Sequence, residues 1–318
     1  MSEAYSSTNR NASTPLRGEK LQLPNSPDGA TALRQIATRL LMKFEMDQAG
    51  GSHKARAARR VVRLGIARGL IVPGVSTVIE KTGGNFGLGL ALACQEVGVP
   101  LELAMGLSFS LARREHLRWL GVNMIGEDEM RQGKTPREVL EKRLSQAGAL
   151  GRSYYYPDQF NNHDCVDAHE LDTGAELVAQ LADRPEVQRV HLVACAGTGA
   201  HVTGISRALR RAGYPLAVTL VEPEGCRTRE GIFLDHPLEG MSVGVKPPLL
   251  DWSLVHATAS VNPSEAREAQ AWLARERGYW VGRTTSACLA VGFKLAQRLP
   301  PGTSAVLMAY DHGGWYTP

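Results

Sequence analysis

Short apolar runs alternate with helical stretches along most of the chain. STVIEK (76–81), LELAM (101–105) and VNMIGE (122–127) are predicted strands, and the segments between them have helical spacing. RVHLVACAG (189–197) and LAVTLVEPE (216–224) continue the pattern in the second half. Alternation at this spacing predicts a doubly wound α/β fold with mostly parallel strands.

The C-terminal part repeats the same theme. PSEAREAQAWLARERG (263–278) and SACLAVGFKLAQRL (286–299) are predicted helices, and YWVG (279–282) and SAVLMAY (304–310) are predicted strands. The polar stretch GRSYYYPDQFNNHDC (151–165) interrupts the alternation, and we interpret it as the crossing between two lobes.

Length and charge narrow the class of protein. A chain of 318 residues is long for one core and suits two adjoining lobes. The net charge is only +4, and the densest basic stretch, KARAARRVVR (54–63), has its apolar residues at helical spacing. This indicates a solvated helix face, so we expect no nucleic-acid partner.

Other compositional features point to a cytoplasmic protein. No apolar run is long enough to cross a bilayer, so we expect no membrane partner. Residues 1–25 are rich in Ser, Thr and Asn, and they are predicted to form a disordered arm without the apolar core of a secretory signal. The five cysteines are far apart and include no CxxC pair, which favours reduced thiols and excludes a zinc site.

Two glycine turns between a strand and a helix carry candidate chemistry. In AGTGAHVTG (196–204) we expect successive backbone N–H groups to point at one spot at a helix N-terminus, which forms a phosphate cradle. The turn lacks the GK[ST] of a Walker loop and has no GxGxxG pattern. In TGGNFG (82–87), Asn85 adds a side-chain amide, although a tight loop without a ligand explains this turn equally well.

A third turn and one lysine complete the candidate site. GRTTSACLAVG (282–292) has three hydroxyls in its mouth, of which at least two are expected to cap the helix. In AGGSHKARAA (49–58), small residues precede Lys54 at the start of a helix, which allows close approach to a ligand. Ligands of open α/β sheets lie beyond the carboxyl ends of the strands, where these features converge. A lysine, a phosphate cradle and an amide loop together predict pyridoxal 5′-phosphate.

Over residues 40–318 the motifs and their order resemble the fold type II pyridoxal-phosphate enzymes, in particular the cysteine synthase and cystathionine β-synthase group. The resemblance implies a two-lobed, tryptophan synthase β-like α/β fold in which each lobe is an open, mostly parallel sheet flanked by helices. The smaller lobe is expected at 26–165, with its first strand allowed to join the larger lobe, and the larger lobe at 166–318. A homodimer is also implied.

The resemblance assigns a role to each motif. GGSHK makes Lys54 the Schiff-base lysine, and EKTGGNFG places Asn85 on the phenolic oxygen of the cofactor. DQF places Gln159 on the substrate carboxylate, and GRTTSA places Thr284 at the pyridine nitrogen. The remaining implied substrate-binding residues are Thr82, Gly83, Gly84 and Phe86, and the implied phosphate loop is Gly197, Thr198, Gly199, Ala200 and His201.

The implied activity is a pyridoxal-phosphate dependent β-replacement in amino-acid biosynthesis. The substrate would be a small serine-derived amino acid (O-acetylserine, O-phosphoserine or serine), converted through an aminoacrylate as in cysteine synthase. β-Elimination or dehydration by a lyase on the same scaffold is one alternative. A catalytically silent binding protein that keeps this fold is another.

Several positions depart from the usual family pattern. Gly83 and Phe86 replace hydroxyl-bearing residues, and Ala200 and His201 replace glycine and threonine. His201 is expected to donate to the phosphate or to point to solvent, and His53 to pack at the helix entry. Arg227 and Arg229 follow the strand ending VEPE, either as a surface turn or near an acidic leaving group. These departures predict a divergent member of the family.

Overall fold

The computed structural model describes residues 30–82 and 84–316, in which the chain forms ten strands and ten α-helices. The strands are β1 (Leu33–Ala37), β2 (Leu40–Lys43), β3 (Ser76–Lys81), β4 (Leu101–Ala104), β5 (Asn123–Met124), β6 (Ser153–Tyr155), β7 (Arg189–Ala194), β8 (Leu216–Pro223), β9 (Ala257–Val261) and β10 (Thr303–Met308). The helices are α1 (Lys54–Ala67), α2 (Asn85–Glu96), α3 (Leu111–Trp119), α4 (Glu127–Arg131), α5 (Pro136–Ser145), α6 (Asp164–Ala168), α7 (Ala175–Ala182), α8 (Ala200–Arg211), α9 (Pro263–Arg277) and α10 (Arg283–Ala296).

The strands form two sheets. The larger sheet has the order β1-β2-β10-β7-β8-β9, and only its β1–β2 pair is antiparallel. The smaller sheet has the order β5-β4-β3-β6 and is parallel throughout. Every residue of β10 is buried, as expected for a parallel strand with both faces covered. The predicted α/β class with two mostly parallel sheets is therefore confirmed.

The first two strands of the chain belong to the larger sheet, whose other strands come from the C-terminal half. β1 and β2 lie in the larger sheet, and β2 pairs with β10, so that Leu40 lies opposite Ala305. α1 follows β2 and then packs against α2, beside the smaller sheet. The lobe boundary between 165 and 166 stays a prediction, and the arm at 1–25 lies outside the described residues.

Three local predictions need correction. YWVG (279–282) is not a strand, since only Val281 forms a bridge, to His312. VNMIGE (122–127) shortens to the two residues of β5, because Gly126 has a positive φ of 72° and caps α4. The stretch 151–165 holds β6, which pairs with β3 in the smaller sheet and is more than a crossing. No helix among the described residues is long and apolar enough to cross a membrane.

A π-helical turn, His169–Gly174, joins α6 to α7. α8 crosses this turn at Gly204, where a Cβ would stand 2.5 Å from Val166 O and 2.7 Å from Glu170 N. Only glycine permits this approach of two backbones. The turn therefore fixes the position of α8, whose first residues face the cavity described below.

A buried ion cluster ties α1 to the larger sheet. Arg56, on the first turn of α1, pairs with Glu45 at 2.7 Å and with Glu176 of α7 at 2.6 Å. Lys43 of β2, which is fully buried, pairs with Glu176 at 2.7 Å. Two cations and two anions balance, and the guanidinium fork bonds both carboxylates.

The cluster generates a prediction about stability. Arg56→Met leaves the buried Glu45 and the partly buried Glu176 with one cation, so we expect the free energy of unfolding to fall by about 3–5 kcal/mol. Chemical denaturation measures this value. Arg137→Met is the matched control, because the exposed Arg137–Glu141 pair on α5 should contribute at most about 0.5 kcal/mol. Equal losses in the two variants would contradict the structural importance of the cluster.

Candidate active site

A cavity of about 290 Å³ lies between the sheets and collects most of the predicted site residues. The predicted residues that line it are Lys54, Thr82, Gly84, Asn85, Phe86, Gln159, Gly197, Thr198, His201 and Thr284. Gly199 and Ala200 belong to the same turn as Gly197 without lining the cavity. Gly83 lies outside the described residues. The roles that the family resemblance assigns to all these residues stay predictions.

Lys54 is the first residue of α1 and lies on the cavity wall. The two preceding glycines have positive φ values, 78° at Gly50 and 69° at Gly51, which the sharp entry into α1 requires. The Ser52 hydroxyl accepts from the Lys54 backbone N–H at 3.2 Å. Burial lowers the pKa of the Lys54 amine, and this favours the neutral, nucleophilic form.

The substrate loop ends at the N-terminus of α2. Thr82 follows β3, Gly84 caps the helix, and Asn85 and Phe86 are its first two residues. Backbone N–H groups at such a helix start favour an anion. Phe86 is 2% exposed, so its ring fills part of the cavity wall where the family has a small hydroxyl residue.

Gln159 reaches the cavity from the segment after β6 and is itself buried. Its backbone N–H donates to Glu80 Oε2 at 3.3 Å, and the Lys81 backbone N–H donates to Glu80 Oε1 at 2.9 Å. Glu80 lies on β3 and is fully buried. Its carboxyl therefore joins the two segments that carry Thr82 and Gln159.

The phosphate loop has the shape and the free donors for an anion. Gly199 has a φ of 88°, and a Cβ there would stand 2.5 Å from Leu250 Cβ. A Cβ on Gly197 would stand 2.9 Å from Gly240 O. Among the described residues, nothing accepts from the N–H groups of Gly197, Thr198 and Gly199. Three free N–H groups on a cavity wall at the start of α8 fit a phosphate.

The three hydroxyls at the start of α10 have different surroundings. Thr285 Oγ1 accepts from the Tyr310 N–H at 2.9 Å, and Ser286 Oγ donates to Gly282 O at 2.9 Å. Neither bond caps α10, whose N-cap is Gly282, so the expectation that at least two of these hydroxyls cap the helix is wrong. Thr284 is the hydroxyl of this group that lines the cavity.

His53 and His201, which both line the cavity, contact each other next to Lys54. His53 and His201 have ring centroids 5.3 Å apart, and His169 lies 5.6 Å from His53. His201 Nε2 is 3.0 Å from Tyr310 OH, so His201 is buried and does not point to solvent. Burial lowers the pKa of His201 to about 3 and those of His53 and His169 well below their usual range. The imidazoles are therefore neutral beside Lys54.

The sequence reasoning missed several residues of the cavity wall. Tyr310, Asp311 and Tyr316 follow β10, and Arg113 comes from the first turn of α3. Burial raises the pKa of Asp311, against hydrogen bonds from Tyr316 and Asn85. The sequence does hold a signal for this segment, because DHGG (311–314) is a fourth glycine turn directly after a strand.

Arg227 and Arg229 do not line the cavity. Arg227 is exposed and pairs with Glu230 at 2.9 Å. Arg229 donates to the backbone carbonyls of Trp252 and Val255, and its guanidinium lies over the Trp252 ring. The surface-turn interpretation of these arginines is therefore the correct one.

Comparison with known proteins identifies the family. Residues 14–311 match the family model described as "Pyridoxal-phosphate dependent enzyme". The chain belongs to this family. It is a pyridoxal-phosphate dependent enzyme, and the lysine, anion cradle and hydroxyl on one cavity wall fit that cofactor.

Individual relatives are of the fold type II kind. A cysteine synthase of Staphylococcus aureus (strain N315) is 27% identical over 285 residues, which covers 88% of each chain. The crystal structure of O-ureido-L-serine synthase aligns with a TM-score of 0.81 at 26% identity, over 95% of this chain and 94% of that one. An O-acetylserine dependent cystathionine beta-synthase from Helicobacter pylori gives 0.80 at 25% identity, over 91% and 94%. The chain is thus a divergent relative of these enzymes.

Glu80 generates a prediction about pH. Burial raises the pKa of its carboxyl from 4.5 to about 8, so in this interval the folded chain holds a proton that the unfolded chain has lost. The free energy of unfolding should therefore fall as pH rises from about 5 to about 8, with this group contributing at most about 1.4 kcal/mol per pH unit.

Denaturation at several pH values compares the parent with Glu80→Gln, which should flatten the decline. Glu102→Gln is the control, because Arg143 and Tyr154 bond the Glu102 carboxylate and its pKa is lowered. It should leave the decline between about pH 5 and 8 in place. An unchanged slope in Glu80→Gln would contradict a protonated Glu80.

Proposed function

We propose that this enzyme catalyses β-replacement on a small serine-derived amino acid, with Lys54 as its Schiff-base lysine. The observation that carries the proposal is the meeting of Lys54, the substrate loop, the phosphate loop and Thr284 on one cavity. The comparisons support it, since the similar proteins include a cysteine synthase, an O-ureido-L-serine synthase and an O-acetylserine dependent enzyme.

Three groups would hold the cofactor. The N–H groups of Gly197, Thr198 and Gly199 would bind its phosphate at the start of α8. The Asn85 amide would bond its phenolic oxygen, and the Thr284 hydroxyl its pyridine nitrogen. When bound, pyridoxal 5′-phosphate supplies an electron sink for bond breaking at the substrate Cα.

Lys54 would act as the base at the substrate Cα. Its amine lies on the cavity wall, and burial lowers its pKa towards the range in which a free amine can accept a proton. The imidazoles of His53, His169 and His201 near Lys54 have lowered pKa values and are neutral near pH 7. They therefore add no positive charge and do not take up the proton in place of Lys54.

The substrate carboxylate would lie at the N-terminus of α2. Thr82 and the Gln159 amide line the cavity there, and the helix start adds backbone N–H groups. The Phe86 ring narrows the space beside them, which favours a small amino acid. A hydroxyl at Thr284 brings no charge to the ring nitrogen, unlike a carboxylate, and this favours departure of a Cβ substituent over transamination.

Borohydride reduction of the holoenzyme followed by peptide mapping tests the lysine. We expect the pyridoxyl tag on Lys54 and its loss in Lys54→Ala. Lys81 is the matched control, because it is the other lysine on the cavity wall, and Lys81→Ala should keep the tag at position 54. A tag on Lys81, or no tag in the parent enzyme, would overturn the proposal.

Product analysis tests the reaction. The enzyme is incubated with O-acetylserine, O-phosphoserine or serine, each with sulfide as a simple nucleophile, and the products are separated chromatographically. A new amino acid that forms with at least one donor is the expected result. A keto acid with ammonia as the product in every mixture would assign the enzyme to β-elimination instead.

A further inference from the structure

The segment after β10 contacts the substrate loop across the cavity. Asn85 Nδ2 donates to Asp311 Oδ2 at 2.5 Å, and Tyr316 OH donates to the same oxygen at 2.5 Å. Asp311 is 1% exposed. One buried carboxylate oxygen therefore connects the first residue of α2 with the far end of the chain.

The Tyr316 ring makes two cation–π contacts. The guanidinium carbons of Arg113, from α3, and of Arg283, from the start of α10, each lie 5.5 Å from the ring centroid. Cation–π contacts of this kind fix the ring plane. The hydroxyl that donates to Asp311 therefore has a set position.

Gly282 lies in close contact with Asp311. A Cβ on Gly282 would stand 2.0 Å from Asp311 Oδ1, and the Gly282 N–H donates to Asp311 O at 2.9 Å. Asp311 Oδ1 is buried and has no hydrogen-bond partner among the described residues. A buried acceptor without a partner is costly, and this cost at a carboxyl on the cavity wall points to a role beyond packing.

We propose that Asp311 is a positioning residue that orients the Asn85 amide towards the cofactor. An amide nitrogen carries two hydrogens in one plane, so committing one to Asp311 fixes where the other points. The second hydrogen is then free for the phenolic oxygen of pyridoxal 5′-phosphate. This inference rests on the proposed role of Asn85 as a ligand of that oxygen.

A double-mutant cycle tests the coupling. The full-length chain, freed of cofactor, is titrated with pyridoxal 5′-phosphate, and the visible absorbance band of each reloaded protein is recorded. Asn85→Ala and Asp311→Ala should each weaken cofactor binding about tenfold and shift the band in the same direction. The double variant should be no weaker than Asn85→Ala, because Asp311 acts through that amide.

Further variants guard against misfolding in Asp311→Ala. Tyr316→Phe keeps the ring and its contacts with Arg113 and Arg283, and it should weaken binding about threefold, in the same direction. Gly282→Ala pushes a Cβ into Asp311 Oδ1 and should reproduce the band shift. Asp164→Asn removes another buried carboxylate, which pairs with the more exposed Arg68 and does not line the cavity, and it should change neither readout.

The possible outcomes distinguish the role of Asn85 as a cofactor ligand from the role of Asp311 as its positioning residue. If Asn85→Ala weakens binding and the effect of Asp311→Ala adds to it in full, Asp311 does not act through Asn85, and the inference is overturned while the role of Asn85 stands. If Asn85→Ala changes neither readout, the role of Asn85 fails and the inference fails with it. A third outcome is that Asn85→Ala weakens binding, whereas Asp311→Ala, Tyr316→Phe and Gly282→Ala leave binding and the band unchanged. In that case the inference about Asp311 is overturned and the role of Asn85 stands.

Discussion

The buried pairing of Arg56 with Glu45 and Glu176 is the constraint on which the site depends. Arg56 lies two residues after Lys54, so the same helical turn that carries the amine is bonded to α7 and, through Glu176, to Lys43 of β2. A helix start held in this way cannot rotate without breaking charged hydrogen bonds in a region that excludes water. The Lys54 amine on the cavity wall therefore takes its position from an ion cluster whose residues do not line the cavity.

The Lys54 amine has neutral groups next to it, and the ion cluster of Arg56 lies apart from them. The ion cluster lies further along α1, whereas the groups next to Lys54 are neutral imidazoles and the Tyr310 phenol. Desolvation without a nearby carboxylate lowers the pKa of the amine. His201, one of the departures from the family pattern, thus packs against His53 next to the amine.

The alternation of strands and helices was sufficient to predict the fold class, because parallel strands covered on both faces have a continuous apolar pattern. The short strand β6 was not predicted, because it has only three residues and lies in a stretch with three tyrosines and a proline. The cavity residues that follow strands in glycine turns were also predictable. Arg113 and Tyr316 were not, because they reach the cavity through tertiary packing of an ordinary amphipathic helix and of a segment without regular pattern.

The pairing of β2 with β10 has a consequence for how the protein is made. Leu40 and Ala305 are opposite one another in the sheet, although more than four-fifths of the chain separates them. During synthesis β10 is the last of the described strands to leave the ribosome, so the central position of the larger sheet stays open until residues 303–308 have been made. Contacts of such long sequence separation also slow folding. The backbone hydrogen bond from His53 N–H to Tyr310 O, just before α1, also forms only after β10 has been made.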